Sequence, residues 1–139
     1  MLMQLELYHH LYIENILKQC KAKNSPLVAL APMVNHSERA FRILTNRHGI
    51  SLTYSPMIHA ENFACSHRFR EQNFEFEECN EDKNLVVQFC GNNPDIILKA
   101  ARYVENKCDA IDINFGCPQG IAKKGKYGVS IYKNIYLPL

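Results

Sequence analysis

Four short segments constrain what this chain can become, because each is a strand-like run that ends in a proline or glycine turn. Leu27-Val28-Ala29-Leu30 precedes Ala31-Pro32, and residues 51–55 precede Pro56. Leu85-Val86-Val87-Gln88-Phe89 precedes Cys90-Gly91, and Ile111-Asp112-Ile113-Asn114-Phe115 runs into Gly116-Cys117-Pro118. Short, nearly continuous apolar runs read as strands buried on both faces. Helical periodicity lies between them. Ser37 is a fitting N-cap for a helix with Ala40, Phe41 and Leu44 on one face. Pro94 suits a first helical turn, and Ile96, Ile97, Ala100, Ala101 and Val104 form a core-facing stripe behind it. Strands alternating with helices imply parallel pairing and right-handed crossovers, so the expected fold class is α/β.

The flanks are less regular. Leu5, Tyr8, Leu11, Tyr12 and Ile16 predict an amphipathic helix over 2–19. Residues 57–69 are expected to be partly helical, and 71–83 to be an acidic surface connection. The chain divides into an N-terminal helix and linker (1–25), an α/β unit (26–128) and a tail (129–139) whose aromatic and β-branched residues lack caps or charge pattern.

Its 139 residues suffice for one domain. A net charge of +2 is too small to indicate nucleic-acid binding by itself. Lys123, Lys124 and Lys126 cluster after the Gly-Cys-Pro turn, and Arg68 and Arg70 close another loop. Read alone, both clusters are solvated surface. The six cysteines form no C-x-x-C pair, which suits a reducing compartment; the cytoplasm is the expected location, with the nucleus compatible. No apolar run reaches membrane-spanning length. The first 20 residues, with Glu6 and Glu14, fit neither a secretory nor a transit leader. No P-loop, G-x-G-x-x-G, G-x-S-x-G or H-E-x-x-H pattern occurs, which argues against mononucleotide, Rossmann, hydrolase-elbow and metalloprotease chemistry.

Candidate chemistry sits at the strand ends, which share one mouth in a parallel barrel. Cys117 is presented at the carboxyl end of a strand as a proton donor or nucleophile. Gly116 allows close approach of a ligand. Gln88 and Asn114 each offer an amide that donates and accepts, as the pyrimidine edge of a flavin requires. Pro32, Met33 and Val34 offer backbone and thioether surface for a flat ring.

Three motifs then carry a resemblance. Ala31-Pro32-Met33 with Ser-Glu-Arg-Ala-Phe-Arg at 37–42, Gln88-Phe89-Cys90-Gly91 with Pro94, and Asp112-Ile113-Asn114-Phe115-Gly116-Cys117-Pro118 stand in the order found in tRNA-dihydrouridine synthases. Over residues 26–128 the chain resembles this family, in its eukaryotic D-loop branch of 20a/20b type. The resemblance implies an FMN-binding TIM barrel, NAD(P)H as reductant and tRNA as partner. It implies hydride transfer to C6 of a flipped-out uridine, with Cys117 giving the proton to C5. Pro32, Met33 and Val34 map onto the flavin contact, Gln88 onto the flavin-binding glutamine, and Asn114 onto the asparagine lining the same pocket.

A complete TIM barrel takes roughly 250 residues, and this chain supplies about four of eight βα units. Counterparts of the family's later flavin-holding lysine and histidine, its phosphate-binding segments and its helical domain are not found. The expectation is therefore a C-terminally truncated form, the N-terminal half of the barrel. Its alternative is a catalytically inactive half-barrel that acts as a decoy or interaction fragment, or is degraded. An open half-barrel is also expected to self-associate. Another FMN barrel, of dihydroorotate-oxidoreductase kind, fits the Ser-Glu-Arg-Ala-Phe-Arg and Gly-Cys-Pro pair poorly.

Overall fold

The computed structural model describes residues 2–131, with side chains from residue 12 onward. The chain runs α1 (Leu2–Ala22), β1 (Ala29–Leu30), α2 (Arg39–Arg47), β2 (Leu52–Tyr54), β3 (Ile58–His59), α3 (Ala60–Cys65), α4 (His67–Asn73), β4 (Leu85–Cys90), α5 (Pro94–Arg102), β5 (Ala110–Ile113) and α6 (Gly120–Gly125), then a 3-10 turn at Gly128–Ile131. All strand pairings are parallel. β1 pairs with β2, while β4 takes β2 and β3 on one side and β5 on the other.

β3, which the sequence reading did not anticipate, continues the track of β2. The register advances four residues from Tyr54 to Ile58 but three from Val86 to Phe89, so the track carries one extra residue, a bulge at Ser55-Pro56-Met57. Pro56 cannot donate to a ladder. The Ser55 hydroxyl compensates by accepting the Gln88 backbone N–H at 3.0 Å. Four strand tracks thus lie side by side in chain order, the arrangement of the first four units of a TIM-type barrel left open.

The two faces of the sheet are covered differently. Val87, Phe89 and Ile111 join Phe63, Ala100 and Val104 beneath α3 and α5. On the opposite face α1 lays Ile16 and Cys20 against Leu52, Val86 and Ala110. The face that would line a barrel interior is therefore covered at its lower end by the leading helix, and all of β4 is buried. Residues 132–139 lie outside the described residues, and with them Tyr132, Ile135 and Tyr136 of the tail.

Three other expectations change. Leu27, Val28 and Ala29 are exposed, and β1 is two residues long. Ala40, Phe41 and Leu44 are exposed as well, while Arg42 is the buried residue of α2. Both differences have one cause: β1 and α2 form the first unit of an unclosed sheet, with no neighbour on their outer side among the described residues. Ser37 does not cap α2; Glu38 occupies that position without a side-chain bond. Ser37 instead closes the preceding turn, its hydroxyl donating to Met33 O at 3.1 Å and accepting from Met33 N at 2.9 Å.

The acidic 74–84 connection is not a simple surface strap. Phe74 is buried, and Phe63 stands between Phe74, Phe76, Phe89 and Tyr103 in edge and stacked contacts. Asp82 turns inward to Arg42: Nε to Oδ1 is 3.0 Å, and NH1 of the same arginine donates to Ser37 O at 2.8 Å. Arg70, expected as loop charge, lies on α4, donates to Phe63 O at 2.7 Å and stacks over Tyr103 at 4.0 Å.

Candidate active site

The carboxyl ends of β4 and β5 carry a directional run of polar side chains. Gln88 and Asp112 stand opposite each other in the parallel ladder. Period-two alternation puts both on the face of Val86 and Ala110, away from α5. Gln88 Nε2 donates to Asp112 Oδ2 at 2.6 Å, and Gln88 Oε1 accepts from Asn114 Nδ2 at 3.1 Å. Asn114 Oδ1 then accepts the backbone N–H of Gly116 at 3.1 Å and of Cys117 at 2.9 Å. Gln88 is 6% exposed, and both ends of its amide are partnered, as a buried polar group requires. The structure thus joins three sequence-predicted residues, Gln88, Asn114 and Cys117, in one hydrogen-bonded set.

Cys117 is half-buried. It packs against the buried cluster of Cys90, Ala122 and Tyr127, as do Met57 and Ile131. The segment after it folds back over its main chain: Val129 N donates to Cys117 O at 3.2 Å. Gly128 takes φ +62°, and a Cβ there would lie 2.4 Å from Cys117 O. This contact explains the glycine by close approach. Gly116 is the reverse case. A Cβ there would meet nothing within 4 Å, so the packing of the described residues does not demand glycine, and the space beside it stays open. Cys90 is buried beside Cys117, and burial, reinforced by that neighbour, pushes its thiol up to about 11. Lys123, Lys124 and Lys126 are exposed around the end of α6.

Pro32, Met33 and Val34 sit elsewhere, on the turn after β1, two strand tracks from β4. Val34 is exposed, and Pro32 and Met33 are half-buried. Asn35 supplies the left-handed residue of this turn at φ +59°, a conformation asparagine tolerates. The Ser37 latch and its Arg42 anchor hold it, which gives the Ser-Glu-Arg-Ala-Phe-Arg motif a local physical reason.

Two residues escaped the sequence reading. Asp112 was legible only as a polar residue within an apolar strand, the signal that did single out Gln88. Tyr54 emerges from its surroundings: its hydroxyl is held above the ordinary range by burial and by the Asp112 carboxylate. Among the described residues no group of three or more metal-ligating side chains occurs, and no helix is long and apolar enough to cross a membrane.

Comparison with known proteins decides the lineage. The dihydrouridine synthase family profile matches residues 29–137. The chain belongs to the dihydrouridine synthase family. It is 55% identical over 104 residues to a tRNA-dihydrouridine(16/17) synthase of Saccharomyces cerevisiae, covering 74% of this chain and 25% of that protein. A protein of the same name from Schizosaccharomyces pombe is 50% identical over 109 residues, or 78% of this chain and 27% of that one. A human tRNA-dihydrouridine(20a/20b) synthase-like protein is 41% identical over 101 residues, or 73% and 31%. The chain thus spans between a quarter and a third of the length of these relatives.

Dihydrouridine synthases are flavin enzymes, and the donor set at these strand ends fits one edge of the flavin. Gln88 keeps one N–H and one lone pair beyond its two bonds. A flavin's pyrimidine edge alternates N–H and C=O, which such an amide can match.

Proposed function

We propose that this dihydrouridine synthase chain carries the flavin-edge and proton-donor part of an enzyme that reduces uridine to dihydrouridine in the D-loop of tRNA. The observation that carries this reading is the hydrogen-bonded run from Asp112 through Gln88 and Asn114 to Cys117, inside the family-matched segment. FMN, reduced by NAD(P)H, would supply a hydride to C6 of the uridine. Hydride addition there places enolate charge on C5 and O4, so C5 must receive a proton. The Cys117 thiol holds that proton and gives it up, and its thiolate is reprotonated from solvent. Gln88 holds the pyrimidine edge of the cofactor. Pro32, Met33 and Val34 supply backbone and apolar surface to its ring. Asn114 keeps the Cys117 turn in place. Lifting the base from the tRNA stack costs a few kcal/mol, offset by contacts in the site.

The pattern of identities favours positions 16 and 17 as targets. Identity to relatives named for those positions is 50–55%, against 37–41% for those named 20a/20b. The 20a/20b reading of the motifs therefore has the weaker support. Free cysteines throughout the described chain support a reducing compartment, which we take to be the cytoplasm.

A second reading has its own observation. The exposed apolar face of α2 and the apolar groove beside β5, lined by Ile97, Leu98, Ile113 and Phe115, favour a catalytically silent half-barrel that needs a partner surface. A segment exchange tests the catalytic reading. Residues 29–128 of this chain replace the matching segment of the Saccharomyces cerevisiae relative in cells lacking that relative, and tRNA dihydrouridine is measured by position. Restoration at 16 and 17 is expected. A folded, expressed exchange protein that restores none refutes the catalytic reading, and restoration at 20a or 20b refutes the choice of target.

A further inference from the structure

We infer that Asp112 is a positioning residue, which secures the direction of the Gln88 and Asn114 amides and through them the Gly116–Cys117 turn. A side-chain amide has a donor end and an acceptor end of nearly equal shape, so a chain of two amides can run in either direction. Two donor-only backbone N–H groups close one end of this chain and an acceptor-only carboxylate closes the other, so Asp112 secures the Gln88 end of a direction that the turn shares. Asp112 Oδ2 receives Gln88 Nε2 at 2.6 Å, which turns Gln88 Oε1 outward. That oxygen receives Asn114 Nδ2, which turns Asn114 Oδ1 to the two backbone N–H groups at 116 and 117. Reversing either amide would set two donors face to face at the turn or two acceptors face to face at Asp112.

The rest of the surroundings allows this role. Ladder register fixes Asp112 opposite Gln88, and the Ser55 hydroxyl fixes the Gln88 backbone. Tyr54 feels the Asp112 charge on the same face. No cation lies among the described hydrogen-bond or ion-pair partners of Asp112, so its one close donor is the Gln88 amide. The link matters for function only under the reading above, in which Gln88 meets the cofactor and Cys117 carries the proton. Asp112 itself touches neither.

The test uses the isolated chain and needs no turnover. The Gln88 and Asn114 side-chain amides are followed by nitrogen-proton NMR, and alkylation of Cys117 by iodoacetamide is followed peptide by peptide, with exposed Cys65 as internal reference. Asp112→Asn keeps the volume but removes the acceptor-only end. It is expected to exchange-broaden or split both side-chain amide signals. It is expected to raise Cys117 alkylation at least threefold against Cys65, with the remaining backbone spectrum as in wild type. Asn114→Ala should raise alkylation similarly, and adding Asp112→Asn to it should change nothing further, because both act along one link. Asp112→Glu, which restores an acceptor-only end, should recover the single amide signals.

Unchanged amide signals and alkylation in Asp112→Asn overturn the inference. Additive effects of the two substitutions overturn it too, as does loss of the native spectrum throughout the sheet, which would make Asp112 simply structural. The segment exchange is a separate arm: an intact amide link in a chain whose exchange protein makes no dihydrouridine would sink the proposed function and leave the role of Asp112 standing.

Discussion

Asp82→Ala should be among the most damaging single changes in this chain. Arg42 and Asp82 pair bidentately with side chains only 4% and 5% exposed, and the Arg42 NH1 also holds Ser37 O. Removing the carboxylate leaves a guanidinium buried with that carbonyl and a distant Glu75 carboxylate at 3.9 Å. Breaking one partner of a buried pair typically costs about 3–5 kcal/mol. Domains of this size have about 5–15 kcal/mol in total, so a fifth or more of the stability goes with one side chain. With a urea slope of about 1–3 kcal/mol/M, the unfolding midpoint should fall by roughly 2 M. The chain has no tryptophan, so far-UV circular dichroism is the probe. Arg47→Ala is the control. Its Glu81 pair is 64% and 57% exposed, and such pairs contribute less than about 1 kcal/mol. Replacing both buried partners, as Arg42→Met with Asp82→Leu, should recover much of the loss, since the orphaned charge is what costs most. An Asp82→Ala midpoint equal to that of Arg47→Ala would show that the buried pair contributes no more than an exposed one.

Stability should also fall in alkali. Burial pushes the thiols of Cys90 and Cys108 from an ordinary 9.0 to about 11 and about 12, and raises the hydroxyls of Tyr54 and Tyr127. The folded chain keeps protons that the unfolded chain loses near pH 9, so stability is complete below pH 9 and drains as pH rises through 11 to 12. Cys90 alone accounts for on the order of 3 kcal/mol, and a urea midpoint that is flat from pH 8 to 11 contradicts this. Cys117→Ala in the exchange protein should lower turnover by more than tenfold, a barrier of about 1.4 kcal/mol; a smaller drop removes Cys117 as proton donor. The isolated chain holds Gln88 on an open sheet, so under the proposed reading FMN should bind it more weakly than about micromolar, and a sub-micromolar titration would overturn that. With Leu44 48%, Leu98 49% and Phe115 41% exposed, light scattering should show self-association, which a monodisperse monomer would rule out.

Local rules already determined much of this molecule. Apolar runs at 85–89 and 111–115 are strands because β-branched and large apolar residues suit a doubly covered parallel sheet, and both appear, with β5 ending at Ile113. Pro94 opens α5 as predicted, and Asn93 caps it by accepting from Asp95 and Ile96. Gln88 announced itself because an amide inside an apolar strand must have partners. What those partners are was not legible. Gln88 and Asp112 are 24 positions apart, and only the ladder register sets them face to face. The same holds for Arg42 and Asp82, 40 positions apart, whose pairing converts an apparent surface strap into part of the interior. Exposure of the α2 stripe was equally out of reach, because periodicity marks which face is apolar and cannot say whether a neighbour covers it. Sequence periodicity acts over one or two turns or a few strand residues. Register, burial and the direction of a hydrogen-bonded chain are set between segments that meet only when the sheet assembles.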